Sequence, residues 1–364
     1  MKIIRYELNQ REKWDSFIAR EPSFGLLQSW GWGEFKEKLG WKAFRIAVEN
    51  RGDVIAGAQM LIKDLPLGAI SAAYIPRGPV GNWLDGDITA ELFSGLHEIA
   101  KQHRAVFLRI EPPVETNSII DQTLGRHHFQ AVHNTNQPRA TIIVNIEPDL
   151  DQILSQMHQK TRYNIRYAQK KGVVVRQGSR DDLPTLEHFL QILGFEEKFS
   201  PRKLEYFQNE WDTFDPLGEL KLLIASHENR VLAIHAHAKF GQHAAYFHGA
   251  SSGEMKQLMP NYLLMWEAIK WAKSENCHTF DLWGIPDEVG LASYNNKDLP
   301  ISERTDGLWG VYRFKRGFST NIVLYLSAHD YIYNPLMYRF VNNRFINSNL
   351  LERVAVWMDN LRGD

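Results

Sequence analysis

The sequence predicts an α/β protein in which one unit occurs twice in tandem. The strand of a predicted hairpin that contains Val54 recurs at Val231, and a helix followed by a strand, with Ile99 in the helix, recurs at Ile269 after a similar interval. Recurrence of supersecondary structure at a nearly fixed separation indicates a duplicated unit. A length of 364 residues also favours two domains.

The amino-acid composition is that of a soluble globular protein and argues against a dedicated nucleic-acid binder. The chain is 44% hydrophobic and 23% charged, with a formal net charge of -1. A dedicated nucleic-acid binder usually carries a basic excess, so any contact with RNA must be local. The single cysteine, Cys277, permits no internal disulfide. Residues 1–14 lack the apolar core of a signal peptide, and no stretch approaches the roughly 18 apolar residues of a membrane span. A cytoplasmic location is therefore expected.

The first copy is expected to alternate short strands and helices. A turn sequence, Asn50-Arg51-Gly52-Asp53, separates two runs rich in branched residues, which indicates a hairpin. Glu111 closes the last strand, directly before two prolines. The predicted elements are, in order, helix 14–20, a helical segment within 24–40, strands 44–48, 54–62 and 74–80, helix 88–103 and strand 106–110.

The segment from Gln28 to Gly33 has the spacing Gln-x-x-Gly-x-Gly. This spacing matches the pyrophosphate loop of acyl-CoA N-acetyltransferases, in which amides at a helix N-terminus hold phosphate. Only a short apolar piece, 24–27, precedes the glycines where such a loop needs a full strand. An acyl-CoA-dependent N-acyltransferase is therefore one class that the sequence leaves open.

A strong amphipathic pattern between the two copies predicts one helix over 149–172. Apolar residues fall near one stripe, and Lys170-Lys171-Gly172 is a good C-terminal stop. The opposite face is basic, with Arg162, Arg166 and Lys170 stacked at intervals of four residues and Lys160 beside them. Such a face is either a solvated surface or a ridge that contacts phosphates.

Histidines cluster in the second copy, at 235, 237, 243 and 248. His235 and His237 would share one face of a strand, which invites a metal-site interpretation. No third ligand follows at a spacing typical of metal sites. No metal is expected.

The most distinctive stretch runs from Thr279 to Ser319. A strand rich in aromatic and branched residues ends at Gly284 and Pro286, and the polar segment Asp287–Glu303 is expected to form a long loop. Aromatic residues then surround Lys315 in Phe314-Lys315-Arg316-Gly317-Phe318. One interpretation is a buried strand whose lysine extends outward to solvent.

Two motifs in this stretch resemble the FemABX family of peptidoglycan interpeptide-bridge aminoacyltransferases. They are the strand end Leu282-Trp283-Gly284-Ile285 and the run Gly-Leu-x-x-x-Tyr-x-Phe-Lys-x-Gly-Phe over 307–318. The resemblance implies transfer of an amino acid from aminoacyl-tRNA to the side-chain amine of a stem peptide. It also implies two GNAT-like (acyl-CoA N-acyltransferase-like) domains in tandem, with mixed twisted sheets flanked by helices. No heptad run marks the coiled-coil arm that some members carry.

The expected domains are 1–148, joined by the C-terminal segment 325–364, and 149–324. Segment 325–364 interleaves aromatic and basic residues. It is expected to pack on the first domain, with a weak contact with the inner membrane surface as the alternative.

The resemblance also implies roles for individual residues. Lys315 would be catalytic, supplying charge to the transition state. Lys36 would help hold a uridine diphosphate, and His248 stands where the family commonly has a tyrosine. Expected substrate-binding residues are Lys36, Glu111, Arg202, Tyr206, His248 and Phe314, and expected tRNA contacts are Lys160, Arg162 and Arg166.

The predicted partners are aminoacyl-tRNA and a UDP-linked or lipid-linked muropeptide precursor, with no cofactor. The attacking amine, with a pKa of about 10.4 in a free lysine, must lose a proton. The sequence offers no convincing protein base, so assistance by the substrate is expected. Besides the acyl-CoA enzyme, a catalytically idle GNAT-like binding protein stays open, although the retained Phe314-Lys315 pair argues against it.

Overall fold

The computed structural model describes residues 1–65, 69–197, 201–300, 303–304 and 307–345. Its strands are β1 (Lys2–Tyr6), β2 (Lys42–Asn50), β3 (Asp53–Asp64), β4 (Ser71–Ile75), β5 (Val80–Gly81), β6 (Ala105–Ile110), β7 (Gln130–Val132), β8 (Ala140–Asn145), β9 (Val174–Gln177), β10 (Leu220–His227), β11 (Arg230–Phe240), β12 (His243–Ser251), β13 (Thr279–Ile285), β14 (Ile322–Leu324) and β15 (Ala328–Ile332).

Its α-helices are α1 (Arg11–Ile18), α2 (Trp30–Lys38), α3 (Gly86–Gln102), α4 (Ser118–Arg126), α5 (Leu150–Gln156), α6 (Gln159–Lys170), α7 (Leu183–Glu197), α8 (Leu204–Phe214), α9 (Pro260–Ser274), α10 (Asp287–Tyr294), α11 (Leu308–Lys315) and α12 (Pro335–Phe345). Within the described ranges, none of these helices is both long enough and apolar enough to cross a membrane.

The chain divides into two compact units. Unit 1 comprises Met1–Arg139 and the described residues from Tyr325 onward, and unit 2 comprises Ala140–Leu324. Strand β8 lies in unit 2 because it pairs with β13 and β14. Residues 140–148 were expected in the first domain. In the structure the boundary between the two units falls between Arg139 and Ala140, so these residues belong to unit 2.

The sheet of unit 1 has the order β1-β2-β3-β4-β6-β15-β7, with β5 pairing β3. Only β4 and β6 run parallel among these pairs. Helix α3 covers the sheet through Leu92, Phe93 and Leu96, all buried in one apolar cluster with the inward residues of β2, β3 and β6. This apolar layer is the core of unit 1.

The C-terminal segment contributes β15 to the sheet of unit 1. Strand β15 pairs antiparallel with both β6 and β7. Its Asp330 forms a buried, bidentate ion pair with Arg109 of β6, with both N–O distances at 2.8 Å, and Tyr338 donates to the same carboxylate. The rest of the expected tail, 346–364, lies outside the described residues.

The sheet of unit 2 has the order β14-β8-β13-β12-β11-β10-β9. Its one parallel pair in the described chain is β12 with β13, and the paired register covers only His243↔Thr279 to Ala245↔Asp281, although both strands continue. A bulge interrupts β13 between Asp281 and Gly284, with Trp283 at a φ of 62°. Beyond Asp281 the two parallel strands are no longer paired, so they separate toward the C-terminal end of β13, where Trp283 and Gly284 lie.

Two expected elements and one alternative interpretation are wrong. The helix predicted over 149–172 is two helices, because Met157 is extended and the ring of His158 accepts a hydrogen bond from Lys160 N to start α6. The loop expected over 287–303 begins with α10, which has two acidic residues in its first turn, where they favour a helix N-terminus.

The third correction concerns the segment around Lys315, which is the helix α11 and not a strand. Trp309, Tyr312 and Lys315 are its buried residues, spaced by three positions. That spacing places all three on one helical face, against the core of unit 2.

Candidate active site

Unit 2 contains a cavity of about 1210 Å³. Its walls come from α6, α7, β12, the N-terminal turn of α9, and α11. Pockets for drug-sized ligands have volumes of roughly 300 to 1,000 Å³. The cavity is therefore large enough for a ligand of at least that size.

Lys315 lies behind one wall of this cavity. Its side chain is only 4% exposed, and its ammonium donates to the carbonyl of Gly284 at 2.7 Å. Burial lowers the pKa of Lys315 to about 7, and the charge of Asp281 opposes that shift. A lysine that extends outward to solvent, the alternative interpretation of the sequence, is wrong.

The bulge in β13 holds the carbonyl that Lys315 contacts. Asp281, 4% exposed, accepts hydrogen bonds from Trp283 N at 2.7 Å and from the hydroxyl of Thr141. A residue with a bulky side chain seldom adopts a positive φ, so the carboxylate contacts help hold Trp283 in that conformation. Asp281 was not predicted as a site residue, although it directly precedes the strand motif that begins at Leu282.

Tyr246 forms the cavity wall in front of Lys315. The tyrosine lines the cavity, and the Lys315 ammonium lies 5.7 Å from the centre of its ring. Gly249 lets the Tyr246 hydroxyl approach the backbone of β12, because a Cβ at that position would be 1.8 Å from the oxygen. The aromatic ring of Tyr246 thus lies between the Lys315 ammonium and the cavity.

An aromatic group forms the next part of the wall. Phe314 lines the cavity and meets Tyr262 edge-on with the ring centres 5.0 Å apart, while Tyr262 stacks on Phe318 at 5.9 Å. Gly317 packs against Thr161 of α6, and a Cβ there would be 2.1 Å from the threonine hydroxyl. Phe314, expected to bind substrate, therefore lies where a ligand in the cavity would contact it.

His235 also lines the cavity, next to Asn261 of α9. Its Nε2 is 3.1 Å from the Asn261 Oδ1. Burial lowers the pKa of His235 to about 4, so its ring is neutral at pH 7. Burial also lowers the pKa of His237, whose ring meets that of His235 edge-on with the ring centres 5.6 Å apart. In the described part of the chain, no group of three or more potential metal ligands occurs.

The three expected tRNA contacts differ in their surroundings. Lys160 is exposed and lines the cavity, and Arg166 is exposed on the outer face of α6. Arg162 is half-buried, and its Nη1 donates to the carbonyls of Ser155, at 3.0 Å, and Met157. Arg162 therefore closes the C-terminus of α5, which sequence alone could not show because α5 and α6 were expected to be continuous.

A second group of predicted residues meets at α8. The guanidinium of Arg202 lies 4.9 Å from the ring centre of Tyr206, and the Tyr206 ring meets His248 at 6.2 Å. His248 Nε2 is 3.1 Å from both oxygens of buried Glu210. Arg202 lies just before the helix, whose N-cap is Lys203, whereas Tyr206 is in its first turn. The stacking brings the two side chains together nevertheless.

The predicted residues of unit 1 lie in separate surroundings. Lys36 is half-buried in the last turn of α2, with its ammonium 4.8 Å from the ring centre of Trp32. Glu111 is buried, and its carboxylate accepts hydrogen bonds from the Tyr74 hydroxyl and from the amides of Asn136 and Gln137. Burial raises the pKa of Glu111. Its hydrogen bonds to Asn136 and Gln137 hold in place the loop that precedes β8.

The glycine pattern of α2 does not form a phosphate loop. Ser29 accepts from Trp32 N at 3.1 Å, and the carboxylate of Asp15 accepts from Trp30 N at 2.7 Å. The Gln28 amide donates to Pro76 O at 2.6 Å inside the core. These amides are bound within the protein, so the resemblance to an acyl-CoA pyrophosphate loop is accidental at this site.

Comparison with known structures first identifies the class of protein. The crystal structure of FemX has a TM-score of 0.80 to this chain, with 23% sequence identity and coverage of 93% of this chain and 99% of that chain. A tandem GNAT protein from the clavulanic acid biosynthesis pathway has a TM-score of 0.51 at 9% identity, covering 92% and 99%. The fold is thus that of tandem GNAT-like proteins, which confirms the predicted fold class.

The chain belongs to the FemAB family, whose model matches residues 10–239 and 215–343. A similar curated protein is the lipid II:glycine glycyltransferase of Staphylococcus aureus, 26% identical, with 90% of this chain and 92% of the relative covered. The predicted family is confirmed. The relative's name agrees with the predicted class of enzyme, an aminoacyltransferase.

Proposed function

We propose that the protein is an aminoacyltransferase that moves an amino acid from aminoacyl-tRNA to the side-chain amine of a peptidoglycan precursor. The observation that carries the proposal is Lys315, buried against the Gly284 carbonyl beside a large cavity in a FemAB chain. A buried lysine without a full counter-ion costs stability, so it is retained more readily for chemistry than for packing.

The reaction is aminolysis of an ester. The acceptor nitrogen attacks the aminoacyl carbonyl carbon, and the bond from that carbon to the ribose oxygen breaks. One proton of the amine passes to the departing ribose oxygen, which leaves as a hydroxyl. Negative charge develops first on the carbonyl oxygen and then on the ribose oxygen. A fixed positive charge stabilises both, and it acts strongly where water is excluded.

Lys315 would supply that charge. Because its pKa is about 7, the ammonium and the neutral amine are both well populated at neutral pH. The ammonium is held by Gly284 O, so it is oriented before the substrate binds. The positive charge of Lys315 would act on a ligand in the cavity across the ring of Tyr246, and the same ring would separate the lysine from water.

The cavity of unit 2 would hold the aminoacyl end of the tRNA. Phe314 and Tyr262 offer aromatic contacts for a base or ribose, and Lys160, Arg313 and Arg316 place positive charge among the lining residues. Stacking of bases on aromatic side chains, combined with cations for phosphates, is the usual way in which single-stranded RNA is held.

The acceptor would be a muropeptide precursor, UDP-linked or lipid-linked. The planar guanidinium of Arg202 suits a diphosphate because it donates two parallel hydrogen bonds. A staphylococcal relative is named for lipid II, which supports a lipid-linked acceptor. Both precursors carry a diphosphate on the cytoplasmic side of the membrane, so the proposal includes a cytoplasmic location.

Arg202 provides a test of the acceptor. Arg202→Ala should raise the KM for a nucleotide-linked precursor by about tenfold, the order expected for the loss of one charge-assisted contact, and leave the KM for tRNA unchanged. Arg180→Ala is the matched control, because Arg180 is a unit 2 arginine engaged with Asp212. Equal KM values for the Arg202 variant and the wild type would separate Arg202 from the acceptor.

One experiment tests the function as a whole. The protein is incubated with a mixture of charged tRNAs and either a UDP-linked or a lipid-linked muropeptide precursor, and the products are weighed by mass spectrometry. A precursor heavier by one or more aminoacyl residues is the expected result. Transfer from an acyl-CoA, with none from any charged tRNA, would overturn the proposal.

A further inference from the structure

We propose that Tyr163 and Tyr167 of α6 form a stacking platform for unpaired nucleotides of the RNA donor, beside the cavity of unit 2. The inference rests on the proposed function and adds to it a second binding site for the same partner. The occupant is a single-stranded segment of RNA, whose bases stack and whose phosphates meet the neighbouring cations.

The two tyrosines form a parallel aromatic pair on the surface. Their ring centres are 5.7 Å apart, with an angle of 26° between the ring planes, and Tyr163 is 61% exposed. The opposite face of α6 is buried through Asn164, Ile165 and Ala168. Tyr167 is half-buried and supports the exposed ring of Tyr163, which is not needed to pack the helix and offers a flat face to a ligand.

Positive charge surrounds the pair. Lys160, Arg166, Lys170 and Lys171 are all exposed, and α6 contains no acidic residue. The ammonium of Lys171 lies 5.6 Å from the ring centre of Tyr167. Within the described ranges, no carboxylate lies at ion-pair distance from any of these four cations. The surface is thus complementary to a polyanion.

The platform is continuous with the cavity. His158, Lys160 and Thr161 line the cavity from the start of α6. Tyr163 and Tyr167 follow on the same helix, and at 1.5 Å per residue the distance from Lys160 to Lys170 is about 15 Å along the axis. Bases in a stacked strand are about 3.4 Å apart, so this surface has the length of a few stacked nucleotides.

Unpaired RNA fits this surface better than a membrane does. A helix that lies in the membrane interface needs a broad apolar face with residues such as Leu, Phe and Trp. The aliphatic residues of α6, Ile165 and Ala168, are both buried. The exposed face therefore has aromatic rings and cations without an apolar surface to insert, which is the composition that single-stranded nucleic acid binds.

The test compares Tyr163→Ala and Tyr163→Phe with the wild type. The alanine variant should raise the KM for aminoacyl-tRNA about tenfold, as expected for one lost base stack, with kcat within about twofold of the wild type. The phenylalanine variant keeps the ring and should match the wild type. Tyr294→Ala is the matched control, since Tyr294 is an exposed tyrosine of unit 2 outside the cavity lining.

A binding measurement gives a readout that does not depend on transfer. A short single-stranded RNA that carries 2-aminopurine loses fluorescence when the base stacks on a ring, so the wild type and Tyr163→Phe should quench it and Tyr163→Ala should not. Arg166→Glu should lower the slope of log affinity against log salt by about 0.7 per lost phosphate contact. The exposed lysine of α3 offers a control, Lys101→Glu, that keeps the wild-type slope.

Equal quenching and equal KM in Tyr163→Ala and the wild type would overturn the platform while leaving the proposed function intact. A loss of binding to vesicles of anionic phospholipid in Tyr163→Ala, with RNA binding unchanged, would overturn it in favour of a membrane contact. A wild type that transfers from no charged tRNA would contradict the proposed function instead, and the quenching result would still decide whether the platform binds RNA.

Discussion

At the scale of single residues, the candidate site contains a lysine, Lys315, whose burial opposes its positive charge. Lys315 donates a hydrogen bond to Gly284 O and is favoured by the charge of Asp281, yet burial has the larger effect on its pKa. With a pKa of about 7, the Lys315 ammonium loses its proton near neutral pH. Its protonation should therefore be measurable in the stability of the protein.

Lys315 makes stability rise with pH in a defined window. Its pKa is about 7 in the folded state and 10.5 ordinarily, so between these values the unfolded chain binds a proton that the folded chain has released. Unfolding is then disfavoured as pH increases, by at most about 1.4 kcal/mol per pH unit. Below pH 7 and above 10.5 the two states bind equally, and the slope from this group vanishes.

Urea unfolding at several pH values between 7 and 10 checks this, with Lys315→Met for comparison. The free energy of unfolding of the wild type should rise relative to that of the variant across the window. Lys101→Met, at an exposed position of α3, serves as the control and should follow the wild type. Curves for wild type and Lys315→Met that run parallel would show that the buried lysine keeps its proton throughout.

The sequence drew attention to Lys315 through the FemABX-like motif that contains it and through its close aromatic neighbours. It could not identify Asp281, Tyr246 or His235 as members of the same site, since these residues lie on separate strands that only the sheet brings near. The same limitation affected Glu111 and Arg162. The FemABX resemblance implies a substrate contact for Glu111 and a tRNA contact for Arg162, and both stay predictions. The hydrogen bonds that these side chains make to nearby backbone could not be read from the sequence.

At the scale of elements, α11 was the least predictable part of the site. A run of aromatic residues favours a strand by propensity, although the buried positions Trp309, Tyr312 and Lys315 carry a helical period. Packing of that face decided the conformation. Hairpins such as β2 with β3 were predictable because the turn between them has a local sequence signal.

The contact between α6 and the turn after α11 gives a prediction about packing. Gly317→Ala should destabilise the protein by about 1 to 3 kcal/mol, because its Cβ would be 2.1 Å from Thr161 Oγ1 and the core would have to shift. Thermal unfolding measures the effect. Gly125→Ala in α4, where a Cβ meets nothing within 4 Å, should instead be neutral or slightly stabilising.

A second variant separates this clash from other effects of the alanine. Thr161→Ala removes the hydroxyl that the new methyl group would meet, so the double variant should recover part of the stability lost by Gly317→Ala. Additive losses in the double variant would mean that the close approach of α6 to Gly317 is not what makes the glycine necessary.

At the scale of the whole molecule, the duplication inferred from sequence corresponds to two separate sheets, each with one parallel pair in its described part. The recurrence of hairpin and helix was enough to predict the tandem arrangement. The pairing of β15 with β6 was beyond reach, because it joins residues more than 200 positions apart with no local signal.

Breaking the buried ion pair of Arg109 and Asp330 measures how much β15 contributes to the stability of unit 1. Asp330→Ala leaves the guanidinium buried without its carboxylate, which typically costs about 3 to 5 kcal/mol. Thermal unfolding should therefore shift strongly downward. Asp53→Ala, at the start of β3 on the surface, is the control and should have little effect. Equal unfolding temperatures for Asp330→Ala and the control would mean that β15 is dispensable for the unit.

The central claim is that the Lys315 charge stabilises the transition state of aminoacyl transfer, and the most direct measurement is the kcat of Lys315→Met with charged tRNA and a muropeptide precursor. Loss of one such preplaced donor typically lowers kcat by about 10² to 10³, with KM nearly unchanged because ground-state binding does not use the charge. Lys315→Arg should recover only part of the rate, since the planar guanidinium places its charge differently. A folded Lys315→Met protein whose kcat stays within a few fold of the wild type would contradict the account.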